Sequence, residues 1–380
     1  MQEVYITRTA VFLPNTPVSN IEMEDYLGYI NNKPSKAKKI VLRSNGIKQR
    51  YYAIDKNGKT THTNSQMVAE AVRKLFNNNS DALVNIELLS CGTSTPDQFI
   101  PSHGVMVHGW LPETQNIEVV SPSGVCCSGM HAFKYSYLSI KTGDKNNSVC
   151  TGSERISKLL RAESFSKEIE NLIKLQANPY VAFEKEFLRW MLSDGAGAFF
   201  IENKRNEDDI SLRIDWIEAC SYANDYDTCM YMGADKLSDG TLKSYMDFTQ
   251  DEINSKSIFS LKQDTKMLSS NIINLGFDHL KNILAKKEQS IDEIDYLLPH
   301  ISSFYFEDKI AKTLEENGID IPKSKWFTNL DKVGNMGSAS IFSMVHELFK
   351  SEKLKKGQKI LLVVPESSRF SYVYCLLTVC

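Results

Sequence analysis

The alternation of hydrophobic and polar positions divides the chain into short apolar runs and longer amphipathic stretches. In the first half, apolar runs of strand length occur at residues 4–12, 83–91, 117–120 and 147–151. Between the first two runs, residues 64–76 place apolar side chains three and four positions apart, which is the spacing of one helix face. The pattern therefore predicts strands that alternate with helices, as in an α/β fold.

The second half of the chain repeats this rhythm. Its predicted elements are, in order, residues 210–220, 268–284, 296–299, 306–316, a strand near Trp326, residues 338–349 and the C-terminal hairpin KILLVVPESSRFSYVYCLLTV. The two halves share no letter-level repeat, so the common rhythm only suggests an internal duplication. The polar run NKRNEDD, residues 203–209, is the best candidate for a boundary between them.

One stretch interrupts the alternation of strands and helices. From residue 155 to residue 190 the charge density rises, and helical spacing continues without a strand. We interpret this stretch as a helical cap inserted into the first half. The predicted organisation is an N-terminal half, residues 1–204, that carries the cap at about 155–190, and a C-terminal half, residues 205–380.

Composition and charge exclude several classes of protein. A chain of 380 residues with 42% hydrophobic content can bury a large core in one big or two medium domains. Its net charge of −3 provides no positive excess for binding nucleic acid. The N-terminus lacks a signal-peptide pattern, and no apolar run reaches the roughly 18 residues of a membrane span. We therefore expect a cytoplasmic protein.

The cysteines point to chemistry rather than to a disulfide framework. None of the eight forms a Cys-x-x-Cys pair, and no histidine stands at zinc-finger spacing. Cys126 and Cys127 follow a turn of small residues and precede an apolar helical pattern that ends at Gly143. A cysteine at a helix N-terminus faces unpaired N–H groups and the helix dipole, which favour the thiolate. Cys127 is therefore a candidate nucleophile; burial of both cysteines as small core residues is the alternative.

Two polar residues of the second half follow apolar strands or turns. His300 comes directly after the run Leu297-Leu298-Pro299, and Asn335 lies in a glycine-bounded turn before the last helix. Ligands of open α/β sheets bind where strands end, so both residues are candidates for a site. The alternatives are a hydrogen-bonded structural histidine and a turn-forming asparagine.

In combination, three segments resemble a known family. SGVCCSGMHAF, LLPHISS and VGNMGSAS are similar, in that order, to the active-site segments of β-ketoacyl-acyl-carrier-protein synthase III and its relatives in the thiolase superfamily. FLPNTPVSN, RSNGIKQRYYA, TSTPDQFIPS, TGSERIS and DGAGAFF also resemble family segments, whereas residues 155–190 and 221–260 resemble them poorly. The resemblance implies a thiolase fold of two fused βαβαβαββ halves in a five-layer αβαβα arrangement, usually as a homodimer.

The resemblance also implies roles for individual residues. Cys127 would accept an acyl group, and its main-chain N–H would be one oxyanion donor; His300 and Asn335 would stabilise the enolate of the second substrate. No metal and no permanently bound cofactor are implied, because acyl groups arrive on the phosphopantetheine of an acyl carrier protein or coenzyme A. The second oxyanion donor of the family comes from a glycine-rich turn. Here that turn reads PESSRFSY, so a main-chain donor near Ser368 is a tentative expectation.

The same turn suggests a branch of the family. A PES-x-RFSY sequence resembles the ketosynthases that join and cyclise two acyl chains to cyclohexanediones or dialkylresorcinol precursors, after which a separate enzyme aromatises the ring. One alternative is a fatty-acid-initiating synthase III, which joins a short acyl starter to malonyl carrier protein. Another is a non-catalytic ketosynthase-like scaffold, against which the presence of Cys127, His300 and Asn335 argues.

A basic segment at residues 36–50 provides a candidate docking surface. Its positive charge lies in an otherwise slightly acidic chain and could attract an acidic carrier protein or the phosphates of coenzyme A. A solvated helix face with no partner is the alternative. The candidate docking residues are Lys38, Lys39, Arg43 and Arg50.

Overall fold

A computed structural model describes residues 1–35, 38–165, 187–319 and 321–380. The strands are β1 Tyr5–Phe12, β2 Val18–Ser19, β3 Gln49–Arg50, β4 Leu88–Thr93, β5 Glu118–Val120, β6 Asn147–Glu154, β7 Gly195–Glu202, β8 Leu212–Ser221, β9 Met230–Tyr231, β10 Ala234–Lys236, β11 Leu242–Ser244, β12 Lys262–Gln263, β13 Ile294–Pro299, β14 Lys359–Glu366 and β15 Ser371–Val379. The α-helices are α1 Met23–Leu27, α2 Lys38–Asn45, α3 Asn64–Leu75, α4 Ser80–Leu83, α5 His103–Gly109, α6 Ser128–Thr142, α7 Gln250–Ser255, α8 Thr265–Lys286, α9 Tyr305–Glu316, α10 Leu330–Val333 and α11 Ser340–Phe349. Short 3-10 helices are Ile30–Asn32, Ser157–Leu160, Ala162–Phe165, Leu188–Trp190, Tyr245–Asp247, Ile291–Glu293, Lys323–Lys325 and Gly337–Ala339. None of the helices in these ranges is both long and apolar enough to cross a bilayer.

One mixed sheet of nine strands organises the molecule, in the order β13-β14-β15-β8-β1-β7-β6-β4-β5. Strand β1 pairs with β7 over most of its length but with β8 only at Tyr5 and Ile6. The sheet therefore consists of two half-sheets that meet at one narrow contact. The N-terminal half-sheet is β1-β7-β6-β4-β5, and the C-terminal half-sheet is β8-β15-β14-β13.

Helices cover both faces of each half-sheet. Helices α6 and α11 share one hydrophobic core with strands of both half-sheets, to which Phe133 of α6 and Phe342 of α11 contribute. Helices α3 and α5 pack on the other face of the N-terminal half-sheet. Helices α8 and α9 pack on the other face of the C-terminal half-sheet. Helix, sheet, helix, sheet and helix form five layers, which confirms the predicted α/β fold with its αβαβα arrangement.

The two halves differ in how completely they follow the predicted element order. The N-terminal half runs β1-α3-β4-α5-β5-α6-β6-β7, which is the order βαβαβαββ. In the described part of the C-terminal half, the strand predicted near Trp326 is reduced to an isolated bridge with Leu297.

The boundary between residues 204 and 205 stays a prediction. Residues 166–186, most of the predicted cap, lie outside the described residues.

One local prediction is wrong in extent. The strand predicted at residues 83–91 begins only at Leu88, because Ser80–Leu83 forms a helical turn that the side chain of Asn79 caps.

Candidate active site

The ends of three strands of the large sheet converge on one cavity. Glu154 is the last residue of β6, His300 directly follows β13, and Pro365 lies near the end of β14. These residues line a cavity of about 320 Å³ together with Asn335, which precedes α11, and Cys126, which precedes α6. Of the residues predicted to be catalytic, the structure therefore brings His300 and Asn335 together at the cavity.

His300 is buried and neutral. Its side chain is 4% exposed, and its main-chain N–H donates a hydrogen bond to the carbonyl oxygen of Val363 at 2.8 Å. Burial lowers the pKa of His300 to about 4, so its ring carries no charge at neutral pH. A neutral imidazole has one N–H donor and one acceptor nitrogen. His300 can therefore donate a hydrogen bond to a ligand without bringing a positive charge into the cavity.

Asn335 has a fixed side-chain orientation. Its main-chain N–H donates to the carbonyl oxygen of Met191 at 3.0 Å, and its carbonyl oxygen accepts from Ser193 N–H at 2.8 Å. The side-chain Oδ1 accepts from Gly337 N–H at 2.9 Å. Because the oxygen is engaged, the amide NH₂ group is the end of the side chain that can donate to a ligand. The preceding Gly334 has a φ of +73°, a conformation that glycine adopts readily.

Cys127 lies behind the cavity lining. It is fully buried at the N-cap of α6, and its Sγ is 3.3 Å from the carbonyl oxygen of Val364 and 3.8 Å from that of Ser371. Burial, with the charge of Glu366, raises the pKa of the Cys127 thiol well above its ordinary value. The role of Cys127 as acyl acceptor stays a prediction.

The cysteine that lines the cavity is Cys126. Burial raises its pKa well above the ordinary value, and the charges of Glu366 and Glu154 add to this effect. Both neighbouring thiols are therefore protonated in the structure as it stands. The thiolate expected from the helix N-terminus is disfavoured here, first because both sulfur atoms are buried and then because of the charge of Glu366.

Glu366, at the end of β14, occupies the N-terminus of α6. Its side chain is largely buried, and Oε2 accepts hydrogen bonds from the main-chain N–H groups of Val125 and Cys127, both at 2.9 Å. Unpaired N–H groups and the helix dipole favour a negative charge at this position. The predicted oxyanion donor, Cys127 N–H, is therefore engaged by Glu366. No role was predicted for Glu366 from the sequence. It nevertheless shows the signal that pointed to His300, because both are polar residues where an apolar strand ends.

Ser368, near which the second oxyanion donor was expected, lies in the turn between β14 and β15. Its hydroxyl donates to Oε1 of Glu366 at 2.6 Å. Its carbonyl oxygen accepts from the N–H groups of Cys229 at 2.8 Å and Met230 at 3.1 Å. The turn is thus held in place beside the cavity. An oxyanion role for the Ser368 N–H stays a prediction.

Glu154 is a second carboxyl that sequence reasoning gave no role. It accepts hydrogen bonds from the hydroxyls of Ser94 at 2.6 Å, Thr95 at 2.7 Å and Ser338 at 3.1 Å. Burial raises the pKa of Glu154 to about 7, although these hydrogen bonds favour the ionised form and oppose the shift. Glu154 therefore exchanges a proton near neutral pH beside the cavity.

Beyond these polar groups, the cavity extends between the C-terminal half-sheet and helices α8 and α9. Its apolar lining there includes Leu268, Ile272, Phe277, Leu280, Ile310 and Leu314. The rings of Tyr372 and Tyr374, on β15, complete this lining. Their hydroxyls donate to carbonyl oxygens of α8, at 2.8 Å to Ile272 and 2.6 Å to Gly276, which holds the helix against the sheet.

The predicted docking residues differ in exposure. Arg50 is fully buried and donates to the carbonyl oxygen of Trp190 at 2.9 Å, so its predicted docking role is wrong. The ammonium group of Lys38 is paired with Glu24 at 2.9 Å. Lys39 and Arg43 are exposed, and docking stays a prediction for them.

Comparisons with known proteins extend over nearly the whole chain. Residues 284–365, which include His300 and Asn335, match the family described as 3-oxoacyl-[acyl-carrier-protein (ACP)] synthase III C terminal. A β-ketoacyl-[acyl-carrier-protein] synthase III of Clostridium perfringens is 24% identical over 353 residues, which are 93% of this chain and 92% of the relative. The structure of AbyA1, a tetronic acid condensing enzyme, is 17% identical with a TM-score of 0.77 and 99% of each chain covered. Xanthomonas campestris OleA with bound lauric acid and lauroyl-CoA is 17% identical with a TM-score of 0.72 and 99% of each chain covered.

Proposed function

We propose that this chain, a member of the β-ketoacyl-acyl-carrier-protein synthase III-like family of the thiolase superfamily, joins and cyclises two acyl chains to a cyclohexanedione or dialkylresorcinol precursor. The family resemblance that the sequence indicated is confirmed. The prediction that the chain is an enzyme that condenses acyl thioesters is confirmed with it. The observation that carries the finer proposal is the apolar cavity that leads from His300 and Asn335 along α8 and α9.

In the proposed first step a cysteine accepts an acyl group. Its sulfur attacks the carbonyl carbon of the donor thioester, the bond from that carbon to the phosphopantetheine sulfur breaks, and the cysteine proton leaves with the released thiol. We assign this step to Cys127 because Ser128-Gly129-Met130 follow it in the register of the family nucleophile. Since its Sγ now faces the carbonyl of Val364, attack requires the side chain to rotate toward the cavity.

In the proposed second step His300 and Asn335 bind the other substrate. That thioester loses an α-proton to solvent water, or a carboxylate as CO₂, and its oxygen becomes an enolate. The imidazole N–H and the amide NH₂ donate to this oxygen, and donors fixed in a buried site are most effective there. The enolate carbon then attacks the acyl-cysteine carbonyl, the carbon–carbon bond forms, and the cysteine leaves as a thiolate.

The apolar extent of the cavity supports long rather than short acyl groups. Its volume of about 320 Å³ lies in the range of sites that hold whole small-molecule ligands. A short acyl starter would leave most of the lining on α8 and α9 uncovered. One structural relative agrees with this, since OleA was solved with lauric acid and lauroyl-CoA.

The product decides between the cyclising enzyme and the fatty-acid initiator. Purified protein with a medium-chain β-ketoacyl thioester and an α,β-unsaturated acyl thioester is expected to give a cyclic dione that contains both chains, seen by mass spectrometry. One ring bond forms when a carbanion of the β-ketoacyl chain adds to the C=C bond of the unsaturated acyl group, and the other forms when a second carbanion of that chain displaces the cysteine from the same acyl group. Water then hydrolyses the remaining thioester and releases its carrier thiol. A linear β-ketoacyl product, formed efficiently only from short acyl-coenzyme A and malonyl carrier protein, would reject cyclisation. If neither pair reacts and incubation with an acyl thioester leaves no acyl adduct on Cys126 or Cys127, the scaffold alternative is correct.

The nucleophile is tested by the acyl adduct. Incubation with an acyl thioester should add the acyl mass to wild type and to Cys126→Ala, but not to Cys127→Ala. The matched pair is informative because Cys126 is the cysteine that lines the cavity while Cys127 has the family register. An adduct mapped to Cys126 in the wild-type protein would overturn the assignment.

Acyl donors are proposed to arrive on acyl carrier protein or coenzyme A. Lys39 and Arg43 are the proposed docking cations for these carriers. A separate enzyme is proposed to aromatise the product. Lys39→Glu with Arg43→Glu should raise the apparent KM for carrier-linked donors, and high salt should have the same effect on wild type. An unchanged KM would reject docking at α2.

A further inference from the structure

The carboxylate of Glu366 lies on the border between the cavity and α6. Its neighbours in sequence, Pro365 and Ser367, line the cavity, as do Val125 and Cys126 of the turn before α6. The side chain of Cys127, the N-cap residue of α6, accepts no hydrogen bond from the N–H groups of the helix. Glu366 therefore supplies from the other end of the chain the acceptor that the helix N-terminus lacks.

The position of Oε2 is that of an oxygen in an oxyanion hole. It accepts hydrogen bonds from the main-chain N–H groups of Val125 and Cys127, with an N···O distance of 2.9 Å for each. Donors at roughly 2.7–3.1 Å are the geometry that stabilises the oxygen of an acyl-transfer intermediate. One of the two donors is the N–H of the proposed nucleophile itself. The carboxylate and a thioester oxygen cannot occupy this position together.

We propose that Glu366 is a resident anion that occupies the N–H groups of Val125 and Cys127 in the free protein and is displaced by the carbonyl oxygen of the incoming acyl thioester. The inference rests on the proposed acyl-transfer function and adds a positioning residue to it. When the carboxylate leaves, two donors become available for the oxyanion. The same movement takes a negative charge away from the thiols.

The movement required is a rotation of one side chain. The turn that follows Glu366 is anchored, because Cys229 and Met230 donate their N–H groups to the carbonyl oxygen of Ser368. The hydroxyl of Ser368 already binds the other carboxylate oxygen at 2.6 Å. Glu366 can therefore release the N–H groups of the α6 turn and keep one hydrogen bond to its own turn.

The charge of Glu366 acts on both thiols. Burial is the first cause of the raised pKa of Cys126 and of Cys127, and the negative charge of Glu366, which disfavours a thiolate, is the second. The other titratable groups around these thiols are Glu154 on β6, His131 on α6, Cys220 on β8, and Tyr372 and Tyr374 on β15, with His300 on the cavity. Displacement of the carboxylate removes the second cause, so the thiols become easier to ionise and to alkylate when a substrate arrives.

Glu366→Gln tests the proposal without any acyl substrate. Glutamine keeps the shape and one acceptor oxygen but removes the charge. The rate of iodoacetamide alkylation at Cys126 and Cys127, measured from neutral to alkaline pH by peptide mass spectrometry, should rise at lower pH than in wild type. A shift of about one pH unit corresponds to roughly tenfold faster alkylation at neutral pH. Because no acyl transfer is measured, failure of the ketosynthase reaction would not be confused with failure of this inference.

Asp97→Asn is the matched control. The carboxylate of Asp97 accepts from the N–H groups of Asn64 and Ser65 at the N-terminus of α3, both at 2.9 Å, so it caps a helix as Glu366 does. The control should lower the unfolding midpoint without moving the alkylation profile. If Glu366→Gln also lowers the unfolding midpoint but leaves the alkylation profile unchanged, Glu366 is merely a helix cap and the proposal is overturned. Should Glu366→Gln not fold, Glu366→Ser removes the same charge and must show the same shift in alkylation.

Discussion

At the scale of single residues, the site combines two neutral hydrogen-bond donors with two buried carboxyls. His300 and Asn335 provide the donors, and Glu154 and Glu366 provide the carboxyls. Charges that are removed from water interact strongly with their neighbours. The charges of the two carboxyls therefore add to burial in raising the pKa of the Cys126 thiol, whereas the neutral donors can act on a substrate oxygen without changing the charge of the cavity.

His300→Ala and Asn335→Ala should still accept an acyl group but condense it roughly 10²- to 10³-fold more slowly, because each removes one donor to the enolate. Single-turnover kinetics with a preloaded acyl group measure the second step directly. His103→Ala is the control: His103 is also buried, which lowers its pKa to about 4, but it does not line the cavity. Normal condensation in either test variant would contradict the assignment of roles.

Glu154 should make the protein less stable as the pH rises. Its pKa is about 7 in the folded protein and 4.5 ordinarily, so between these values the unfolded chain loses the proton before the folded one does. The stabilisation is complete below pH 4.5 and is lost as the pH passes about 7, a change of roughly 3 kcal/mol in the free energy of unfolding.

Urea unfolding of wild type and Glu154→Gln at several pH values isolates this effect. His300 has a lowered pKa and so acts with the opposite sign, losing stability as the pH falls toward about 4, but its contribution is common to both proteins. The stability difference between them should change across the window from pH 4.5 to about 7. A difference that does not vary with pH would show that Glu154 is not perturbed.

At the scale of elements, α8 is fitted closely to β15. Gly276 faces the rings of Tyr372 and Tyr374, whose hydroxyls bond to the carbonyls of α8. A Cβ atom at position 276 would lie 2.8 Å from a ring carbon of Tyr372 and 3.2 Å from the hydroxyl oxygen of Tyr374. Glycine in a helix interior is otherwise unfavourable by about 1 kcal/mol relative to alanine. Close packing beside the cavity therefore accounts for this glycine.

Gly276→Ala should destabilise the protein by about 1–3 kcal/mol, because the hydrogen-bonded tyrosine rings cannot move aside without separating α8 from the sheet. Gly109→Ala is the matched control in α5, since an added Cβ there meets nothing within 4 Å. Thermal or urea unfolding of both variants checks the prediction. Equal stability of the two would mean that the contact between α8 and β15 is easily relaxed.

At the scale of the whole molecule, one end of the nine-stranded sheet is open. Strand β5 lies at that end and pairs with β4 alone among the described strands. Beside it, α5 and α6 expose apolar side chains, including Val105, Tyr135 and Leu138. An uncovered edge strand next to exposed apolar side chains is a typical interface between chains. This supports the homodimer that the family resemblance implies, which stays a prediction.

Light scattering should give the wild-type protein twice the chain mass of 43.1 kDa. Leu138→Arg should shift it toward the monomer, because a charge would then face the partner chain. Ile21→Arg is the control, since Ile21 is an exposed apolar side chain that belongs to none of α5, α6 and β5. A monomeric wild type, or equal masses for both variants, would reject this face as the interface.

The sequence by itself determined most of the elements, because their signals are local. Helix α6 ends at Gly143, which adopts a φ of +85°, and His300 and Asn335 follow a strand and a turn that their own neighbours specify. Only the tertiary structure decided which groups meet. Glu366 and Cys127 are 239 positions apart, and no local pattern relates them. The direction of the Cys127 thiol and the burial of Arg50 likewise depend on packing between distant segments, so the protonation of the site is a property of the folded chain.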